Sequence, residues 1–364
     1  MSMKKTVFLF SCLLALVMSA CGPKDPLPNH EDAIVGKGVF VINEGNFGYA
    51  NASLTFYDPV ADSAINNLFY RVNGAPIGDV GESLALIDGK LYIVVNNSNY
   101  IYKLDAYSLA IDTTQPYKLT DFYSPRYMLA VAPNKAYVSD IVGTELWIVN
   151  PQDMSHTGSI AMGKSTETMV QVGQEIYVTN WSKYYVEGME NNSVQVVDIN
   201  NDVKVADVTV GKEPNCMVVD KNGMIWVLCE GAMWDPEPGV PEIWKINPAT
   251  KQSTKMVSFN ETTLNMAIDP SGNYLYYVRG GDWTTSGDLH RVSIDNPTVE
   301  DENFVIPSEG KMFYKIAVNP NNGDIYLSDS KSYTMNGTVY RYNSDGVLLG
   351  SFDAGICPGF MLFN

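Results

Sequence analysis

The sequence predicts an all-β fold, a seven-bladed β-propeller whose four-stranded antiparallel blades form a ring closed by the C-terminal strand joining the first blade. Three observations lead there. A run of aliphatic, aromatic, aliphatic and polar residues recurs every roughly 40–50 residues, the period of stacked units. Each copy is followed by a second strand-like run ending in Asp, Asn or Ser, a turn signal. The first repeat lacks its leading strand and the last has one to spare, GFMLFN at Gly359–Asn364.

The recurring run reads VFVIN (Val39–Asn43), LYIVVN (Leu91–Asn96), AYVSD (Ala136–Asp140), EIYVTN (Glu175–Asn180), IWVLCE (Ile225–Glu230), LYYVRG (Leu275–Gly280) and IYLSD (Ile325–Asp329). Its aromatic anchors are Phe40, Tyr92, Tyr137, Tyr177, Trp226, Tyr276 and Tyr326. Short runs rich in aromatic and β-branched residues are strands. Upstream of six anchors lies an inner strand, marked by Leu84, Met128, Met169, Met217, Met266 and Ile316. Met361 matches these, so the C-terminal run should pair into blade one and remove the exposed edges. The third strands end at Asp58, Asp105, Asn150, Asp198, Asn247, Ser293 and Asn343. Turn chemistry is the expected role of these residues, and a weaker fourth strand follows each, as in Val203–Val210.

The 364 residues carry a formal charge of −17. Nucleic-acid binding needs a basic footprint and is disfavoured. Residues 1–20 read as a signal peptide: Lys4 and Lys5, then an apolar Val7–Val17 too short to span a bilayer. Removing those two lysines leaves −17 − 2 = −19. Met18-Ser19-Ala20-Cys21 resembles a bacterial lipobox, with Met18 where Leu is usual. That resemblance implies lipidation of Cys21. Several acyl chains, at about 0.8 kcal/mol per buried CH₂, anchor where one would not. Residues 21–35 read as a Pro-rich acidic tether, and 36–364 as the propeller.

Repeats of the form h-Y-V-x-N…V-x-V-h-D resemble the YncE-like, surface-layer-type seven-bladed propellers. The opening VFVINEGNFGYANASLTFYD (Val39–Asp58) after a lipobox resembles the BtuG-type branch of Bacteroidetes surface lipoproteins. The resemblance implies a cell-surface protein on the outer face of the outer membrane. It also implies capture of vitamin B12 (cobalamin), a corrinoid, and delivery to a TonB-dependent outer-membrane transporter.

Loops joining second to third strands, and loops joining blades, share one face of a propeller. Here that loop set is long and aromatic: Phe47, Tyr49, Tyr123, Trp181, Tyr184, Tyr185, Trp234, Trp283, Tyr314 and Tyr333 all fall in it. Rings with a polar tip give contact area and lose few rotamers on binding. With Glu82, Arg126 and Lys315 they suit a flat ligand fringed with amides. Polysaccharide is the rival, because sugars also stack on Trp and Tyr.

No nucleophile elbow, P-loop or HExxH motif appears. His30 falls in the tether, His156 in a turn after the third blade's third strand, and His290 within a strand, so a histidine base is not expected. Glu82, Glu167 and Glu213 fall near the axis. Ca²⁺ or Mg²⁺ held there would make a metal-dependent hydrolase or lyase the alternative. Cys216, Cys229 and Cys357 are expected as small apolar core residues. Asp62-Ser63-Ala64 and Asp112-Thr113-Thr114 resemble the Bacteroidetes O-glycosylation motif.

Overall fold

A computed structural model describes residues 38–364 apart from 115–117, 184–189, 233–234 and 283. The signal segment, Cys21, the tether with His30, and Tyr184, Tyr185, Trp234 and Trp283 therefore lie outside the described residues. The strands form seven four-stranded antiparallel sheets. Six are built from consecutive strands. The seventh joins Pro358–Phe363 to Val39–Asn43, Ser53–Asp58 and Ser63–Ile65. Its register sets Val39 against Phe363 and Val41 against Met361, and Asn364 N–H donates to the Gly38 carbonyl. The two chain ends thus close the ring, as the repeat count requires. One short helix, Leu68–Asn73, interrupts the link from blade one to blade two; the strand periodicity carried no sign of it.

Apolar side chains gather into seven clusters, each shared by two neighbouring blades. Every aromatic anchor is fully buried at such a joint. The anchors also reach across it. Tyr92 Oη donates to the carbonyl of Pro151, Tyr137 Oη to Asp202, and Tyr177 Oη to the carbonyl of Pro248 at 3.4 Å. Each acceptor lies just after the third strand of the following blade. In blades two, three and four the anchor is therefore a blade-to-blade rivet, whereas the Trp226 indole donates to Asp220 of its own blade. Burial raises the pKa of all three phenols, which stay protonated as donors.

The residue closing each third strand folds onto the turn beyond it. Asp58, Asp105, Asn150, Asp198, Asn247 and Asn343 accept the backbone N–H two residues on through Oδ1, and Ser293 does so through Oγ. His156 is a correction. It stands in the outer strand Ser155–Ala161, not in a turn, with its ring 4.9 Å from that of Trp147. The turn spans residues 151–154 and is closed by Met154 N–H donating to the Asn150 carbonyl at 2.8 Å, so the outer strand has begun before His156.

Candidate functional site

Each inner strand follows a blade-to-blade loop, so its first residues lie at the loop-rich mouth of the axis. There the ladder slips: bulges interrupt the inner pairing of every blade except the fourth. A bulge re-aims side chains at a rim. Here it turns polar residues of several blades toward one another. Ser83 Oγ donates to the carbonyl of Arg126, Thr168 Oγ1 to that of Asn215, and Asn265 Nδ2 to that of Tyr314, each at 2.6 Å. These bonds tie blade two to three, four to five and six to seven.

Arg126 is the hub of the mouth. Its guanidinium pairs with Glu82 and with Glu167 Oε1, at 2.6 Å from Nη2 and 2.7 Å from Nε. Glu82 and Glu167 are 5% and 3% exposed, so these carboxylates are ion-paired rather than solvated. Burial nevertheless raises the pKa of Glu167, against the pull of Arg126. Glu230 is raised by burial too; it accepts from Asn215 Nδ2 at 2.6 Å and Trp181 Nε1 at 3.2 Å. Glu44 Oε2 accepts the Tyr314 hydroxyl at 2.5 Å, and burial again dominates its raised pKa. Blade one has Gly359 at the mouth. A Cβ there would stand 2.7 Å from Glu44 Oε1, so the glycine leaves space for that carboxylate.

The alternative, metal-dependent reading would place Ca²⁺ or Mg²⁺ at Glu82, Glu167 and Glu213. Among the described residues no group of three or more His, Cys, Asp or Glu is placed to hold one. A guanidinium, not open space, lies between Glu82 and Glu167. Cys216, Cys229 and Cys357 are free thiols, and burial raises the pKa of each.

Around the mouth the expected aromatics divide. Phe47 and Tyr49 are 74% and 77% exposed, Tyr123 62% and Tyr333 41%. Their loops are nonetheless pinned. Asn46 N–H donates to Asn51 Oδ1 at 2.7 Å, and Asn46 Nδ2 to the Tyr333 carbonyl. Gly48 N–H donates to Asp79 Oδ2 at 2.8 Å, and Asn97 Nδ2 to the same oxygen at 2.6 Å. The N–H groups of Tyr123 and Ser124 both donate to Asp140 Oδ2. Tyr314 lies inward, its ring edge-on to Tyr333 at 5.7 Å. Trp181 is half-buried, its indole engaged by Glu230.

One feature escaped the sequence altogether. A cavity of about 660 Å³ opens between blades five and six, lined by Glu230, Pro238–Pro241, Phe259–Thr262, Gly280 and Gly281. A second, of about 290 Å³, shares Phe259, Asn260 and Glu261 with it and continues to Arg279 and Glu300. Glu300 accepts from Tyr277 Oη and Arg279 Nη1, both at 2.8 Å, and pairs with His290 Nδ1 at 3.2 Å. Burial lowers the pKa of His290, keeping it neutral at neutral pH. Glu44 and Glu230 also escaped selection. A signal for them existed, since each is the acid directly after a second strand.

A family profile described as "Domain of unknown function (DUF5074)" matches residues 37–354. No curated protein matches the chain. Among solved structures, a quinonprotein alcohol dehydrogenase-like protein from Bacteroides thetaiotaomicron is similar at TM-score 0.65 and 16% identity, over 90% of this chain and 78% of that one. A protein from Lactobacillus plantarum is similar at TM-score 0.62 and 13% identity, over 90% and 100%. Hydrazine synthase from Kuenenia stuttgartiensis is similar at TM-score 0.61 and 12% identity, over 77% and 88%. At these identities the likeness is one of fold.

Proposed function

The chain belongs to the DUF5074 family, and we propose that it is a non-catalytic, lipid-anchored cell-surface protein that captures a bulky small molecule on its loop-rich face. The favoured ligand is a corrinoid, passed on to a TonB-dependent outer-membrane transporter. The observation that carries this reading is the loop 44–52. It is held by hydrogen bonds to the loops of blades seven and two, yet it presents Phe47 and Tyr49 to solvent. A loop that merely covered its own blade would turn those rings inward. A hydrogen-bonded loop carrying exposed rings offers contact area and loses little backbone entropy on binding.

Beneath this platform lies a polar well of carboxylates and two cations. It complements the amide fringe of a corrin rather than a purely apolar ligand. The arrangement offers less to an enzyme. Of the carboxylates that could hold a metal, Glu82 and Glu167 are engaged by Arg126, and His290 is tied to Glu300. Glycan binding has one observation in its favour, two adjoining pockets between blades five and six that share Phe259, Asn260 and Glu261 and could take successive sugar units.

Titrating residues 36–364 with cyanocobalamin while recording the corrin absorption, beside a glycan array, tests the choice. A spectral shift saturating at micromolar ligand is expected. No shift, with retention on the array, would replace corrinoid by glycan.

A further inference from the structure

Two polar groups at the axial mouth are only partly used. Lys315 lies within the bulge at the start of the inner strand Phe313–Val318, where its N–H donates to Ser328 Oγ at 2.9 Å. Its ammonium stands 5.3 Å from the centre of the Tyr314 ring. Glu44, Glu82, Cys216 and Arg126 act on it, and it acts in turn on Glu167 and Glu230. It therefore stands amid charged groups of blades one to five. Yet among the described residues it forms no ion pair and no side-chain hydrogen bond, whereas Arg126 holds two carboxylates. Glu44 is the second group. One oxygen takes the Tyr314 hydroxyl; the other accepts nothing from a described residue and lies beside Gly359, where a Cβ would collide with it. Both residues are partly exposed. Deeper still, Glu167 Oε2 is buried without a hydrogen-bond partner. The well holds more acceptors than donors.

Charge decides what fits. A ligand anion would gain from Lys315 but meet Glu44, Glu82, Glu167 and Glu230. A ligand cation would gain from Glu44 but meet Lys315 and Arg126. A neutral group with an acceptor and a donor side by side is opposed by neither set. We propose that Lys315 and Glu44 form a carboxamide socket on the axis: the ammonium donates to the amide oxygen, and the carboxylate accepts from the amide NH₂. The proposal rests on the loop-rich face being the binding face, and it names the ligand group that enters deepest.

The test uses two probe pairs on residues 36–364. Nicotinamide and nicotinate are compared by ligand-observed NMR, and cyanocobalamin is compared with its carboxylate derivatives, in which a side-chain amide is hydrolysed. The amide form of nicotinamide, and cyanocobalamin over at least one such derivative, should bind at least tenfold tighter than the acid. Lys315→Met should weaken the amide about tenfold, and Glu44→Gln should erase the preference by relieving the acid of repulsion. Equal binding of amide and acid to the wild-type protein overturns the socket with no variant needed, and so does binding of neither nicotinamide nor cyanocobalamin. Nicotinamide selectivity without cyanocobalamin binding would keep the socket and remove the corrinoid.

Discussion

A single hydroxyl illustrates how the residue scale works. Tyr92 Oη reaches the Pro151 carbonyl of the next blade at 2.6 Å inside a buried joint. Tyr92→Phe keeps the ring and orphans that carbonyl, so urea unfolding should show a loss of about 1–3 kcal/mol. Arg126 matters more. Arg126→Leu leaves Glu82 and Glu167 buried without a counter-charge, and about 3–5 kcal/mol should be lost. A melt within a degree of wild type would refute the ion-pair assignment. The buried acids also set a pH dependence. Glu44, Glu167 and Glu230 are raised above the ordinary 4.5 by burial. The folded state then keeps protons that the unfolded chain has lost. Their contribution is complete below pH 4.5, falls as pH rises through the folded values, and is level beyond them. Wild type should therefore lose stability relative to Glu230→Gln as pH rises above 4.5, and the difference should level off once Glu230 has ionised in the folded state. A difference that stays constant with pH would show that Glu230 is not raised. The aromatic anchors and turn acids were legible in sequence because their partners repeat at a constant offset. Arg126 and Glu82 were singled out on the loop-rich face, but their ion pairing was not legible, because Glu82 and Glu167 lie 44 and 41 residues from Arg126 and only ring closure brings them in.

The elements repeat but are not equivalent. The C-terminal strand Pro358–Phe363 is covalently remote from the blade it completes. Deleting Phe360–Asn364 strips the cover from Val39–Val41 and removes Met361, 6% exposed, from the cluster between blades seven and one. Met361→Ala alone should cost about 2–5 kcal/mol. The deletion should lower the melting temperature of the whole ring in a single transition, read by calorimetry. An unaltered transition would mean that the ring does not depend on this strand. The loop 44–52 is the other unequal element, since no sequence rule distinguishes a pinned loop from a mobile one. Its rigidity comes from Asp79 and Tyr333, in the loops of the neighbouring blades.

For the whole molecule, the asymmetry of the two faces is what matters. One face is closed by short turns and rivets; the other carries the exposed rings, the polar well and the cleft beside it. Replacing Phe47 and Tyr49 together by Ser should leave stability within about 0.5 kcal/mol, because both rings are already in water. The same pair of changes should cost at least about tenfold in affinity for the captured ligand, measured by calorimetric titration. Unchanged affinity would move the site away from blade one, toward the cleft between blades five and six.

The sequence by itself determined the blade number, the strand order, the closing strand and the face on which long loops gather, because all of these follow from local patterns that recur with a fixed period. Only the tertiary structure decided which carboxylates are neutralised, which rings remain in solvent, and that a cleft opens between blades five and six. Those features depend on contacts between residues of different blades, tens of positions apart, where periodicity carries no information.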